Sequence, residues 1–384
     1  MTPLGPADPS RSAAAEHLLP SAHAAAADAG VTRLAELTRL DRLGLPVWQA
    51  VRPMSRALSV HQGKGVADAD AQLGALLEAV ESHHAETFDA DGPVCRFDAL
   101  PTEERAPALS DLARDRYSPP EADRDYRWVE GRDLVSGGPI YLPFDLVSLD
   151  LTRAVPSRFE RSSNGVATGA TLAEAIAVAL QELIERDAVM EWQSRGLLAC
   201  TVDVLRLESV PFAWLQEWRG RVESAGAYLR FYRIPSIGGT PVFVCELNDL
   251  GKDGAPYRAV HGRGCHAIPE IALFKALAEA IQSRATFIAG ARDDLLPSAY
   301  AGQGRATATL AFGLPLAPGM RGVEWDTIEP GPTGPEAIAE ALARRGFPRI
   351  AVLELGNPQG FHVVRTFAFG LGSISRRRRP TRLQ

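Results

Sequence analysis

Apolar residues recur every three or four positions in three Ala/Leu-rich stretches, and each stretch predicts an amphipathic helix. They are A-D-A-D-A-Q-L-G-A-L-L-E-A-V-E at 67–81, T-L-A-E-A-I-A-V-A-L-Q-E-L-I-E-R-D-A at 171–188 and P-E-I-A-L-F-K-A-L-A-E-A-I-Q-S-R at 269–284. Each follows a glycine-bearing segment that reads as a turn: G-K-G at 63–65, S-S-N-G-V-A-T-G at 162–169 and G-R-G-C at 262–265. Each also carries a pair of oxygen-bearing side chains three residues apart: Glu78 and Glu81, Glu182 and Glu185, Glu279 and Gln282. Self-similarity of this kind bears on the architecture before any single motif does. Residues at i and i+3 share a helix face, so each pair is a two-oxygen clamp. Three clamps brought together would hold a divalent metal and phosphates.

Between these helices the pattern shortens to strands. Residues 31–53 read as strand, turn, strand, and 56–65 as a lead-in to the first repeat helix. R-W-V-E-G-R-D-L-V-S-G-G-P-I-Y-L-P, residues 127–143, is a hairpin signal. A-Y-L-R-F-Y-R-I and T-P-V-F-V-C-E-L-N-D predict adjacent strands, the second ending in N-D-L-G-K-D-G. A helix over 335–345 and a strand over 349–355 follow. Helices and hairpins mixed in this way favour an α+β fold over a doubly wound parallel sheet. Residues 1–30, rich in Ala and Pro, read as a flexible segment with room for a helix over 13–27, 31–372 as one compact unit, and 373–384 as a basic tail with R-R-R-R at 376–379.

Composition narrows the class. The chain has 384 residues, 46% hydrophobic and 23% charged, with a formal net charge of −6, which gives no reason to expect a nucleic-acid surface. Cys95, Cys200, Cys245 and Cys265 are scattered, indicating neither a disulfide framework nor a zinc site. No apolar run approaches the roughly 20 residues of a membrane span, and the first residues lack the pattern of a secretory signal. A cytoplasmic protein is expected.

The candidate chemistry is concentrated in the repeats. In the second, Glu174, Glu182 and Glu185 at i, i+8 and i+11 lie on one side of the helix, while Ile176, Leu180, Leu183 and Ile184 lie on the other. A single helix of this kind reads as a solvated acidic face; three related helices weaken that reading. Carboxylates suit Mg²⁺, which takes oxygen ligands together with water and substrate phosphate. Lys64 adds a point charge for phosphate oxygens. There is no Walker A sequence and no kinase signature set. Arg186 and Arg284 follow the second and third pairs and read equally well as helix C-terminal cations or as charge compensation and a phosphate clamp. His83 and His84 read as surface or packing residues.

The segments R-P-M-S-R-A-L-S-V-H-Q-G-K-G, S-S-N-G-V-A-T-G-A-T-L-A-E-A-I…E-L-I-E-R-D-A and G-R-G-C-H…A-L-A-E-A-I-Q-S-R…G-A-R-D-D resemble the YcaO superfamily over about residues 31 to 365. The resemblance implies a fold peculiar to that family, with the repeated units packed on mostly antiparallel sheets. It also implies ATP as cofactor, Mg²⁺ held by glutamates of the repeats, and ATP-dependent activation of a peptide backbone amide. In that chemistry a nucleophile adds to the carbonyl, the oxygen is phosphorylated and phosphate leaves. Carried over residue by residue, Glu78, Glu81, Glu174, Glu182, Glu185 and Glu279 become metal ligands. Lys64, Ser163, Asn164, Arg186, Gln282 and Arg284 become cofactor-binding residues.

The style of the motifs is similar to stand-alone members that work with a TfuA-type partner in thioamide formation. A peptide or protein substrate, a sulfur-delivering partner and a homodimer are therefore expected. Three positions depart from the family pattern: Ala170 and Met54 where Asn is frequent, and His61 where Ser is. The ending R-T-F-A-F-G-L-G-S-I-S replaces an apolar strand leading into P-G-L-E, and there is no P-x-P-x-P tail, which counts against azoline formation. The alternatives are an azoline-forming cyclodehydratase and, in another class, a non-catalytic peptide- or partner-binding scaffold.

Overall fold

The computed structural model describes residues 5–112, 118–153, 157–195, 203–251, 256–292 and 322–371, with Leu295 and Tyr300 besides. Two compact units emerge: Met1–Pro53 with Leu58–Ala79 and Trp192–Gly331, and Met54–Ala57 with Val80–Glu191 and Pro332–Gln384. The basic run at 376–379 lies outside the described residues.

In the first unit, the helix read over 13–27 forms as α1 (Ala15–Asp28). Ala15, Ala22, Ala25 and Ala26 are buried, giving the helix a small-residue face that packs without loss of rotamer freedom. Strands β1 (Arg33–Glu36), β2 (Val47–Val51) and β3 (Val60–Lys64) make an antiparallel sheet that leads into α2 (Asp68–Thr87). β3 was not expected as a strand. His61 and Gln62 are buried along with Val60, so its polar and apolar positions do not alternate with exposure.

A second antiparallel sheet has the order β10 (Pro256–Cys265), β9 (Val242–Leu250), β8 (Ala227–Ile234). Its inner face presents Phe231, Phe243, Cys245 and Leu247 to a core shared with α5 (Ala213–Ser224) and α6 (Pro269–Ala289). Trp218 and Leu215 of α5 are fully buried there, each worth about 1.5–3 kcal/mol of burial.

The second unit is built on a six-stranded antiparallel sheet. Its path is β4 (Val94–Cys95), β5 (Tyr126–Asp133), β11 (Ile350–Gly356), β12 (His362–Ala368), β7 (Val166–Gly169), with β6 (Pro139–Pro143) paired to β5. The expected hairpin is the β5–β6 pair. Buried Asp133 closes it, accepting from the Val135 N–H and Ser136 Oγ, and also from the Ile350 N–H of β11. Among the described residues the unit is completed by α2 from Val80 onward, α3 (Phe144–Val147), α4 (Leu172–Ser194) as far as Glu191, and α7 (Pro335–Ala343). Among the described residues every strand-to-strand ladder is antiparallel, the α+β arrangement the sequence pattern favours. Among the described residues no helix is long and apolar enough to cross a membrane.

The repeat glycines differ from the turn reading. Gly63, Gly169, Gly262 and Gly264 lie in strands β3, β7 and β10, and none has positive φ. Close approach makes them glycine. A Cβ on Gly63 would meet Ala71 O at 2.0 Å, and one on Gly169 would meet Ala175 N at 2.5 Å. A Cβ on Gly264 would meet Ala272 O at 2.1 Å. Each repeat is thus a strand whose glycine lies against the alanine face of the following helix. Only Gly165 of the S-S-N-G segment is a turn glycine, with φ +77°.

Candidate functional site

The twelve candidate residues divide between the units. Lys64, Glu78, Glu279, Gln282 and Arg284 belong to the first; Glu81, Ser163, Asn164, Glu174, Glu182, Glu185 and Arg186 belong to the second.

In the first unit, buried Gln62 on β3 links α2 and α6. Its backbone N–H donates to Glu78 Oε2 at 2.6 Å. Its side-chain Oε1 accepts from Thr286 Oγ1 and, at 3.5 Å, from Gln282 Nε2. With Gln282 Nε2 directed at Gln62, Gln282 Oε1 is left buried with no hydrogen-bond partner among the described residues. A buried, unsatisfied carbonyl oxygen costs about 1–3 kcal/mol, and a cation or an N–H donor would satisfy it. Lys64 Nζ lies 3.9 Å from Glu279 Oε2, with both side chains about a quarter exposed, a loose pair of little energetic weight.

Arg284 is committed elsewhere. Its Nε donates to both carboxylate oxygens of Asp41 at 3.0 Å, and its Nη1 is bound to Asp249. Burial alone would lower the guanidinium pKa; the hydrogen bonds and charges of Asp249 and Asp41 outweigh it and raise it. Removing the cation would strand two largely buried carboxylates. Arg284→Met is therefore expected to lose about 3–5 kcal/mol in urea unfolding, and a loss below about 1 kcal/mol would refute that account.

In the second unit Glu81 Oε1 accepts from the Thr168 N–H of β7 at 2.8 Å, as Glu78 does from β3. Glu78 and Glu81, one turn apart on α2, thus each bind the backbone of a strand that precedes a repeat helix. On α4, Glu182 pairs with Arg186 at 3.4 Å, Glu185 is buried and Glu174 is half-buried. The Ser163 C=O accepts from the Val166 N–H, closing a tight turn with Asn164 and Gly165 at its centre.

Among the described residues no group of three or more His, Cys, Asp or Glu side chains is gathered for a metal ion. Like charges brought close together repel; Glu78 and Glu81 accept from backbone N–H groups, and Glu182 and Glu279 pair with Arg186 and Lys64. Mg²⁺ does not need such a cage. It uses one or two carboxylates with substrate phosphates and water. The hard oxygen donors of Glu78, Glu279 and Gln282, one of them an orphaned acceptor, fit that group.

Gln62, Thr168, Asp41 and Asp249 were missed by sequence reasoning. Gln62 could have been found: it is a polar residue inside the S-V-H-Q-G-K-G segment already singled out. Thr168 likewise lies inside the S-S-N-G-V-A-T-G segment, whereas Asp41 and Asp249 lacked a local signal.

Antiparallel sheets with helices packed alanine to glycine against their strands define an α+β class of protein. The description "YcaO cyclodehydratase, ATP- and Mg²⁺-binding" matches residues 62–371, and the chain belongs to the YcaO family. A Rhizobium leguminosarum bv. trifolii protein named for the tfuA 3′ region is 37% identical over 279 residues, 71% of this chain and 66% of its own length. A Mycobacterium tuberculosis protein, Rv1375, is 34% identical over 287 residues, 73% of this chain and 62% of its own. The chain thus spans a little under two thirds of the length of these two relatives. A solved YcaO from Methanopyrus kandleri, bound with AMPPCP and Mg²⁺, shares the fold with TM-score 0.71 and 23% identity, over 94% of this chain and 91% of that one. A heterocyclase in complex with substrate and cofactor also reaches TM-score 0.71, at 21% identity, over 93% of this chain and 52% of that one.

Proposed function

We propose that the protein is an enzyme that activates a peptide backbone amide with ATP and Mg²⁺ and, working with a TfuA-type sulfur-delivering partner, forms a thioamide. The donor set carries the reading: oxygen ligands on α2, α4 and α6, with Gln282 Oε1 an acceptor lacking a donor among the described residues. Glu78, Glu81, Glu174, Glu182, Glu185 and Glu279 are proposed to hold Mg²⁺. Lys64, Ser163, Asn164, Arg186 and Gln282 are proposed to hold nucleotide. Arg284, bound to Asp41 and Asp249, acts by fixing α6 and not as a phosphate ligand.

Bound Mg²⁺ would neutralise phosphate charge as phosphoryl transfer turns the amide oxygen into a leaving group. What this chain supplies is positioning. Lys64 and Arg186 bring positive charge, and backbone N–H groups of β3 and β7 hold Glu78 and Glu81 in place. Thioamide formation is supported by the rhizobial relative's association with the tfuA region. The heterocyclases among the solved structures favour a second reading, azoline formation.

The test uses purified protein with ATP, Mg²⁺, a sulfide source, a TfuA-type protein and a peptide panel, read by mass spectrometry. Exchange of oxygen for sulfur is expected. Loss of water would select the azoline reading. A folded protein that binds no ATP would select the non-catalytic scaffold.

A further inference from the structure

β12 carries a charge in an otherwise apolar run, H-V-V-R-T-F-A, outside the repeats that bear the candidate site residues. Arg365 is 1% exposed, one of the largest fully buried side chains in the protein. Its Nη1 donates to Val147 O at 2.7 Å, the last residue of α3, and its Nη2 to Ser162 O. Nε has no hydrogen-bond partner among the described residues. The next residue completes the grip, because the Thr366 N–H donates to Gly165 O at 2.8 Å. Consecutive residues of one strand therefore hold both ends of the Ser162–Gly165 turn.

The turn cannot relax around this grip. A Cβ on Gly165 would meet Thr366 O at 2.4 Å, and its φ of +77° already excludes most side chains. Within the turn, Ser163 is exposed and Asn164 half-buried. We propose that Arg365 is a positioning residue of the nucleotide site, its guanidinium fixing the Ser163–Asn164 turn in binding geometry before any ligand arrives. The inference rests on the nucleotide reading above.

A buried cation is a poor means to stability, since a well-packed apolar replacement is often neutral or better. Two carbonyls on separate segments need the planar fork of arginine, which a lysine's single Nζ cannot reproduce. Burial pulls the guanidinium pKa down to about 9, against the charges of Glu182 and Glu160, which raise it. Glu182 therefore feels this cation from within the core as well as Arg186 from the surface.

The test is calorimetry of Mg²⁺·AMPPCP binding to wild type, Arg365→Lys and Leu342→Ala, with unfolding midpoints measured alongside. Leu342→Ala truncates a fully buried core residue on α7 and controls for lost stability. Arg365→Lys is expected to bind at least about tenfold more weakly, as when a residue supporting a ligand-holding group is lost. The control should bind like wild type. Equal binding by wild type and Arg365→Lys, or an equal loss in the control, overturns the inference alone. A folded wild type that binds no nucleotide overturns the nucleotide reading and the inference with it.

Should Arg365→Lys fail to fold, hydrogen exchange on ligand-free wild type decides. Amides of 162–166 are expected to exchange well below the rate of the exposed turn at 135–138. Equal rates would refute a turn fixed in advance.

Discussion

Glu182→Gln is expected to lower Mg²⁺-dependent ATP turnover on the order of 10²–10³-fold while leaving the unfolding midpoint close to that of wild type. The two effects separate because the carboxylate is partly solvated and glutamine keeps its shape. Its side chain is 23% exposed, and its pair with Arg186, at i, i+4, is worth about 0.3–0.5 kcal/mol. Glutamine keeps the size, one oxygen and the helix propensity, and removes the charge. A charge that serves only to fold the helix could be lost at that small cost. A charge that neutralises developing phosphoryl charge through bound metal could not.

Glu340→Gln on α7 is the matched control. It too breaks an i, i+4 pair, with Arg344, far more exposed and not among the proposed ligands. It should change neither turnover nor stability. If folded Glu182→Gln turns over ATP like wild type, Glu182 is not a metal ligand, and the clamp reading of α4 falls with it.

What could be read in the sequence was periodic; what could not was long-range. The helices α2, α4 and α6 follow from apolar spacing, because a stripe at 3.6-residue period needs no partner to be recognised. The hairpin at 127–143 follows from its turn residues. β3 was hidden because buried His61 and Gln62 look like surface positions until their partners are known. The repeat glycines were visible, but sequence does not distinguish a glycine needed for positive φ from one needed for close approach. Gly165 is the first kind, and Gly63, Gly169, Gly262 and Gly264 are the second.

Arg284 shows the same limit at the site. Its position after an acidic pair suggested a phosphate clamp, yet one of the two carboxylates it binds, Asp41, lies 243 positions away in sequence. Arg365 offered the opposite signal: a lone charge in an apolar strand is legible as unusual, and only the fold says which carbonyls it holds.

The glycine contacts lead to the second large effect. Gly262→Val is expected to yield no folded protein, and Gly262→Ala to lose at least about 3 kcal/mol, the upper range for overpacking. A Cβ at this position lies 2.1 Å from Ala276 O and 2.1 Å from Ala280 N, both main-chain atoms of α6. Side-chain clashes can be relieved by a change of rotamer; these cannot. Relief would require α6 to move away from β10, opening the core that holds Phe243, Cys245, Leu273 and Leu277. The same displacement would carry off Glu279, Gln282 and Arg284, since all three are on α6. Surviving Gly262→Ala should therefore bind nucleotide weakly even under conditions where it is fully folded.

Gly220 on α5 gives the contrasting case, with nothing within 4 Å of an added Cβ and no positive φ. Gly220→Ala should gain about 0.5–1 kcal/mol from helix propensity alone. Urea unfolding of the three variants at unchanged m-value compares these outcomes directly. Should Gly262→Ala unfold within about 0.5 kcal/mol of wild type, the glycines do not set the distance between helix and sheet, and another reason must be found for their repetition ahead of each helix.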